Sequence, residues 1–336
     1  MANSSKLFFS LESIKPQVSN SSGSLTTITS KETPGLVNIA FANLKLKKRG
    51  ALTPIWHPNA NKLGYCVKGN HLVSIRSPEK VDTFTVQTGE MVFIPQGFIH
   101  HIENIGDGDG EINFAFDNTS PETMSLAKAI YSISDTVFDS TFGTKVDFIT
   151  GLRKTKKEEL LLTLPALKNI PKDSDNRYKF GIEKSKKQIL TKGGYLQNGT
   201  KGNFPALEGL GILGFGLNPK GSVEPHWHTN AGELVYIVKG QTKITVLSPD
   251  GKVEVLQVNG GEGAFAPASH FHNIENVGSG DVEVIAFFSD ANPNYIGIGE
   301  VMGSLPNELL TSVFNTPANY WDNFKKTEDP LVIVPV

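Results

Sequence analysis

"EPHWHTNAGELVYIVKG", residues 224–240, has an echo earlier in the chain, "TPIWHPNANKLGYCVKG", residues 53–69. Both phrases carry Pro-x-Trp-His-x-Asn-Ala and end in Val-Lys-Gly. They part at two chemically loaded positions: His226 stands where the earlier phrase has Ile55, and Glu233 where it has Lys62. The likeness runs outward in both directions. A shift of 171 positions brings Gly23 onto Gly194, Pro34 onto Pro205, Gly50 onto Gly221 and Ser77-Pro78 onto Ser248-Pro249. After one gained residue near Gly260, a shift of 172 brings Pro95 onto Pro267, His100 onto His272 and Ile102-Glu103-Asn104 onto Ile274-Glu275-Asn276. About eighty residues align with a single one-residue gap, which marks a tandem duplication of one domain.

Each copy reads as short strands. "KITVL" (243–247) and "VEVIAFF" (282–288) are rich in β-branched and aromatic residues, and turn sequences such as "SPDG" (248–251) punctuate them. No long crossover helix separates the strands within a copy, which predicts antiparallel pairing and an all-β sandwich or barrel. Helically spaced apolar residues follow each β block, over 121–142 and roughly 297–325, and are expected to pack on the barrels or on a neighbouring subunit. Residues 151–190, lysine-rich with Pro165 and Pro171, read as a connector. The tail "DPLVIVPV" (329–336) reads as a strand added to a sheet, because left exposed it would invite aggregation. The expected division is an N-terminal domain over 1–150, the connector over 151–190 and a C-terminal domain over 191–336.

Composition narrows the partners. At 336 residues the chain can form two ordinary cores. Its 32 basic and 34 acidic residues balance, so electrostatics favour neither nucleic acid nor an anionic membrane. The single cysteine, Cys66, excludes an internal disulfide framework and is expected to be a buried, inert thiol. The N-terminus has only the short apolar run Leu7-Phe8-Phe9, and no segment approaches a bilayer-spanning length, so the expectation is a cytoplasmic protein.

His226 and His228 are one residue apart, and on a strand such side chains share a face. Glu233 follows five residues later, enough to turn a corner and return on the next strand, and His272 comes about forty residues further on. Three imidazoles and a carboxylate make a mixed nitrogen and oxygen site. That set suits manganese or iron better than a structural zinc, which prefers closed cysteine-rich sites. An octahedral ion held by four side chains keeps two positions open for substrate, water or dioxygen.

The pattern Gly221…His226-x-His228-x4-Glu233-x6-Gly240 resembles the first cupin motif, and Gly261-x5-Pro267-x-Ser269-x2-His272-x3-Asn276 resembles the second. Two such domains, each followed by a short helical segment, resemble a bicupin of the oxalate decarboxylase type. The resemblance implies two tandem cupin barrels of the double-stranded β-helix or jelly-roll kind. It also implies metal ligation by His226, His228, Glu233 and His272, with one divalent ion per chain, manganese first and iron, nickel or zinc as alternatives. The implied partners are a small carboxylate and further copies of the chain in a trimer or hexamer. Two departures stand out: the glycine before His226 is one residue too close, and Ser269 replaces the second motif's glycine.

In the first copy the ligand positions read Ile55, His57, Lys62 and His100. A protonated lysine cannot coordinate and repels a cation, so this copy is expected to hold no metal. A sharper expectation is that Lys62 and His57 form a small anion pocket inside a metal-free barrel. The resemblance also places a substrate-gripping arginine three residues before the first histidine, where this chain has Leu52 and Val223, and a proton-donating glutamate in a lid, for which Glu122 is a candidate. His270 stands either behind the metal ligands or exposed on its loop, and no other catalytic residue emerges. Lys220 and Lys239 flank the first motif without a clear place in the cavity. Trp56 and Trp227 read as packing anchors, and the repeated Glu103 and Glu275 as structural. The expected function is a metal-dependent enzyme acting on a small acid, with a binding or storage cupin, or a cupin dioxygenase or oxidase, as alternatives.

Overall fold

A computed structural model describes residues 5–144, 146–153, 158–165, 170–324, 326–327 and 330–336. Lys325 and Asp329, which the sequence assigns to the second helical stretch and to the tail, lie outside the described residues, as do 154–157 and 166–169 of the 151–190 segment. Two compact units form: Lys15–Ile28 with Ala40–Gly181, here the N-terminal barrel, and Met1–Ile14 with Thr29–Ile39 and Ile182–Val336, here the C-terminal barrel.

Each barrel consists of a seven-stranded and a six-stranded antiparallel sheet. In the C-terminal barrel the larger sheet runs Phe8–Ser10, Glu262–Ala266, Glu233–Lys239, Val282–Phe288, Gly211–Leu217, Gly194–Gly199, Ile189–Thr191. The smaller runs Val253–Asn259, Gln241–Leu247, Phe271–Asn276, Gly221–Trp227, with Ile296–Gly297 and Ile333–Pro335 both laid against Gly221–Trp227. The N-terminal barrel repeats this order. Leu161–Thr163 takes the place of Ile333–Pro335, pairing with Gly50–Leu52, and Lys179–Phe180 takes the place of Phe8–Ser10, pairing with Met91–Val92. Residues 151–190 therefore supply strands to the N-terminal barrel, and the start of the chain supplies an edge strand to the C-terminal one.

Sequence explains where the cores lie. Along "VEVLQVN" (253–259) alternate residues are buried, the period-two signature of a strand with one wet face. "ELVYI" (233–237) is buried throughout, as expected of a strand between two neighbours and beneath the facing sheet. Phe265, Phe287 and Phe288 are fully buried in one barrel, and Phe41, Phe84, Phe93 and Phe114 in the other. The shared Val-Lys-Gly ends in Gly69 and Gly240, with φ of 98° and 97°, a left-handed conformation open to glycine without strain.

The helical stretches are shorter and more broken than the periodicity predicts. The first begins only at Leu126 and divides into Leu126–Ser132 and Asp135–Phe142, with Val146–Arg153 beyond. Ser125 and Ser134 accept hydrogen bonds from Lys128 N–H and Val137 N–H, so a new cap interrupts what reads as one helix. The second stretch divides into Ile298–Ser304, Asn307–Phe314 and a 3-10 turn over Ala318–Trp321, with Pro306 at the break. The tail does add a strand, Ile333–Pro335. Among the described residues no helix is long and apolar enough to cross a membrane.

Candidate metal centre

His226 is the next-to-last residue of the Gly221–Trp227 strand, directly opposite His272 on Phe271–Asn276, and Glu233 opens the strand Glu233–Lys239. His228 lies just past the end of its strand. All four side chains are buried, and one ligand atom from each lies within 4.8 Å of the others. Glu233 Oε2 is the hub, 2.8 Å from His272 Nε2, 3.1 Å from His228 Nε2 and 3.7 Å from His226 Nε2.

The other ring nitrogens decide what this cluster wants. His226 Nδ1 donates to Glu224 O at 2.8 Å, His272 Nδ1 to His270 O at 2.8 Å, and His228 Nδ1 to Asn294 O at 2.6 Å. A neutral imidazole that gives its one proton at Nδ1 presents a lone pair at Nε2. Three lone pairs and a carboxylate thus converge with no proton left among them, and four converging acceptors fit a cation. Burial drives His226 down to about 4, helped by His272 and opposed by Glu233, which keeps it neutral. Phe288 meets His228 edge-on at 4.8 Å, and the Tyr295 ring stacks on His226 at 4.6 Å.

The loop that supplies Asn294 O is held by a residue common to both phrases. Asn230 accepts from Asn294 N–H at 2.8 Å and donates to Asn292 O at 3.0 Å. Asn59 accepts from Glu122 N–H at 2.8 Å and donates to Ser120 O at 3.2 Å. Glu122 O in turn accepts His57 Nδ1–H at 2.8 Å, so the N-terminal barrel keeps the orienting loop. His100 Nδ1 likewise donates to Phe98 O.

What that barrel lacks is the acidic hub. Lys62 is buried and donates to His100 Nε2 at 3.3 Å, with its ammonium 4.2 Å from the Phe114 ring centre. Burial pushes the amine down to about 7. Burial and the Lys62 charge push His57 down to about 3 and His100 well below its usual value. Ile55 fills the first ligand position and is buried. The anion-pocket idea meets an obstacle here: His57 spends its proton on Glu122 O and turns a lone pair, not a donor, to the interior.

Other residues singled out from the sequence fall elsewhere. Glu122 is in register with Asn294 and reaches His57 through its backbone, while its side chain is exposed. His270 acts toward the cluster through its carbonyl, and its ring bonds Ala268 O. Lys220 and Lys239 are exposed. Glu275 pairs with Lys243 at 2.8 Å and Glu103 with His101 at 3.1 Å, both away from the cluster. Trp227 packs against Phe271, and Cys66 is buried with its sulfur 3.4 Å from His71 Nδ1. Ser269, at the missing glycine, has φ of 61°, while its counterpart Gly97 has φ of 78°. The position demands a left-handed residue, and serine takes it under strain. Sequence reasoning missed Tyr295 and Phe288. Carrying the 172-residue shift past Asn276 sets Tyr295 on Thr123, which would have exposed the first.

The cupin family pattern matches residues 9–148 and 180–319. The chain belongs to the cupin family. It carries two cupin copies and is a bicupin similar to oxalate decarboxylases. It is 25% identical over 316 residues to the oxalate decarboxylase OxdC of Bacillus subtilis, covering 91% of this chain and 81% of that protein. It is 22% identical over 321 residues to a probable oxalate decarboxylase of Arthroderma benhamiae, covering 90% and 77%. A solved structure of Bacillus subtilis oxalate decarboxylase, described with Mn(II) centres, superposes with a TM-score of 0.86 at 21% identity, covering all of this cupin chain and 90% of its own. These structures share the fold.

Proposed function

We propose that this bicupin is a metal-dependent enzyme of the oxalate decarboxylase type that acts on a small carboxylic acid at one centre in the C-terminal barrel. The observation that carries the reading is the convergence of four buried acceptors, His226, His228, Glu233 and His272, with no proton among them. These residues would hold one divalent ion per chain, manganese first and iron, nickel or zinc as alternatives. Imidazole with carboxylate suits the first two, and the similar Bacillus protein is described with Mn(II). When bound, the ion would act as a Lewis acid toward a chelating carboxylate. The chain's own residues orient the imidazoles through three backbone carbonyls, and Phe288 and Tyr295 wall the site.

The chain's four arginines, Arg49, Arg76, Arg153 and Arg177, all belong to the N-terminal barrel, so the C-terminal barrel offers its substrate no guanidinium fork from its own residues. In this reading the acid is held mainly through the ion. A second reading, binding or storage without turnover, gains from Asn294, which stands where the other copy has Glu122 and leaves that loop position without an acid. A dioxygenase or oxidase, which needs no such proton donor, gains from it equally.

By function we divide the chain into 1–150 with the degenerate site, 151–190 joining the two sites while lending strands to the N-terminal barrel, and 191–336 with the intact site. Exposed Val137, Phe142, Val313 and Phe314 on the helices support a homo-oligomer, a trimer or hexamer. The buried single thiol suits a cytoplasmic location. Manganese-loaded protein offered oxalate and then a panel of small acids, under air and under nitrogen, tests the assignment. Carbon dioxide with formate supports decarboxylation, and peroxide formed only under air supports an oxidase. No product from any acid favours binding without turnover.

A further inference from the structure

Glu224 is a buried carboxylate outside the four-residue cluster, two residues before His226. It accepts Val332 N–H at 2.8 Å, Gly299 N–H at 3.2 Å and the Tyr295 hydroxyl at 3.2 Å. Its backbone carbonyl takes His226 Nδ1–H, and the Tyr295 ring stacks on the same imidazole. Room for this carboxylate is built in. A Cβ on Gly297 would come within 2.4 Å of Glu224 Oε1, and one on Gly299 within 3.1 Å of Oε2. The tail bends to reach it. Val332, a β-branched residue, has φ of 56° inside a tight turn closed by Ile333 N–H to Leu331 O at 2.7 Å. Such a conformation persists only where its surroundings hold it.

The N-terminal barrel shows what the arrangement is for. Its counterparts of Glu224, Tyr295, Gly297 and Gly299 are Thr53, Thr123, Ser125 and Ala127. The backbone frame is the same in both: Thr53 N–H bonds Leu160 O as Glu224 N–H bonds Val332 O, and Leu161 pairs beside Leu52 as Ile333 pairs beside Val223. Yet Leu160 is not left-handed, and the carboxylate nearby, Glu158, comes from the added segment itself and meets Ser125 Oγ and Lys128 instead of gathering backbone amides of that segment. Four positions differ together, and they differ in the same direction as the metal ligands. Docking the tail strand does not require Glu224, since the other copy docks its strand without it.

We infer that Glu224, with Tyr295, is a positioning unit that fixes His226 as a metal ligand and ties it to the docked C-terminal strand. The inference rests on the metal-centre reading above. Glu224→Gln, Gly297→Ser and Tyr295→Phe are each titrated with manganese as full-length protein, and hydrogen exchange is followed at Val332–Pro335. We expect manganese affinity to fall about 10-fold or more in the first two and less in the third, in the range seen for partners of metal-bound histidines. Exchange at Val332–Pro335 is expected to rise in the first two. By linkage, stripping the metal from wild-type protein should raise it as well. Tyr295→Phe keeps the ring stack and preserves a test if the others fail to fold. Unchanged manganese affinity in the folded variants overturns the inference while leaving the metal centre intact. Faster tail exchange with unchanged affinity also overturns it, since Glu224 would then be only a structural latch. Wild-type protein that takes up no metal sinks the metal-centre reading and this inference with it.

Discussion

Lys62 and Glu233 open equivalent strands in two copies of one barrel, each against equivalent histidines. Glu233 meets three imidazoles whose Nε2 atoms converge on it, and in the proposed reading a divalent ion held there would compensate its buried charge. Lys62 has no buried carboxylate beside it among its described partners and settles against His100 and the Phe114 ring, its amine pushed toward neutrality. The orienting carbonyls, the loop and the asparagine that holds it survive in both copies. The difference teaches that two residues, Ile55 and Lys62, remove the acceptor set while the scaffold stays, because the loop is held by an asparagine that bonds its backbone and touches neither changed position.

Exchanging the hub residue breaks the comparison most directly. Glu233→Lys should reduce metal content, measured by elemental analysis after growth with manganese, from about one ion per chain to almost none. Retention of the ion would refute the ligand assignment. Next in size is Lys62→Met. Because burial lowers the Lys62 amine from 10.5 unfolded to about 7 folded, the unfolded chain binds more protons between those values. Wild-type stability should therefore rise as pH goes from about 7 toward 10.5, and that slope should flatten in the variant. Urea unfolding at pH 7 should find the variant more stable by about 3 kcal/mol, with the gap closing at high pH. A pH-independent difference would mean that the lysine has an unrecognised partner.

A smaller effect tests the shared scaffold. Asn104 donates to Leu46 O, Lys47 O and Gly108 O, and Asn276 to Leu217 O, Asn218 O and Gly280 O. Alanine at either position should cost about 2 kcal/mol in chemical unfolding. The two losses should match, and the metal content of the Asn104→Ala protein should be normal. The smallest change, Ser269→Gly, should raise stability by about 0.5 kcal/mol, since relief of the left-handed strain is partly offset by the glycine's greater freedom when unfolded. No gain would show that the strain is relieved elsewhere.

Much of this was legible in the chain. Duplication, antiparallel strands and the four acceptors follow from spacing, because period-two alternation sets which side chains share a face and the repeat shows which positions serve the fold. The helices were less legible. Apolar periodicity continues through Ser134 and Pro306, and only the hydrogen bond to the Ser134 hydroxyl and the proline at the second break end each turn. Glu122 was half legible: its register with Asn294 emerges only when both carbonyls are seen to meet equivalent histidines.

By itself the sequence determined two copies of one barrel, one with a full acceptor set and one with a lysine at its hub. Tertiary structure alone decided that the start of the chain completes the C-terminal barrel, that Asn294 orients His228, and that Glu224 captures Val332, 108 residues away. The reason lies in range. Strand periodicity is written within a few residues and can be read there. A carboxylate's distant partners depend on where the closed fold brings backbone amides, and no local pattern records that.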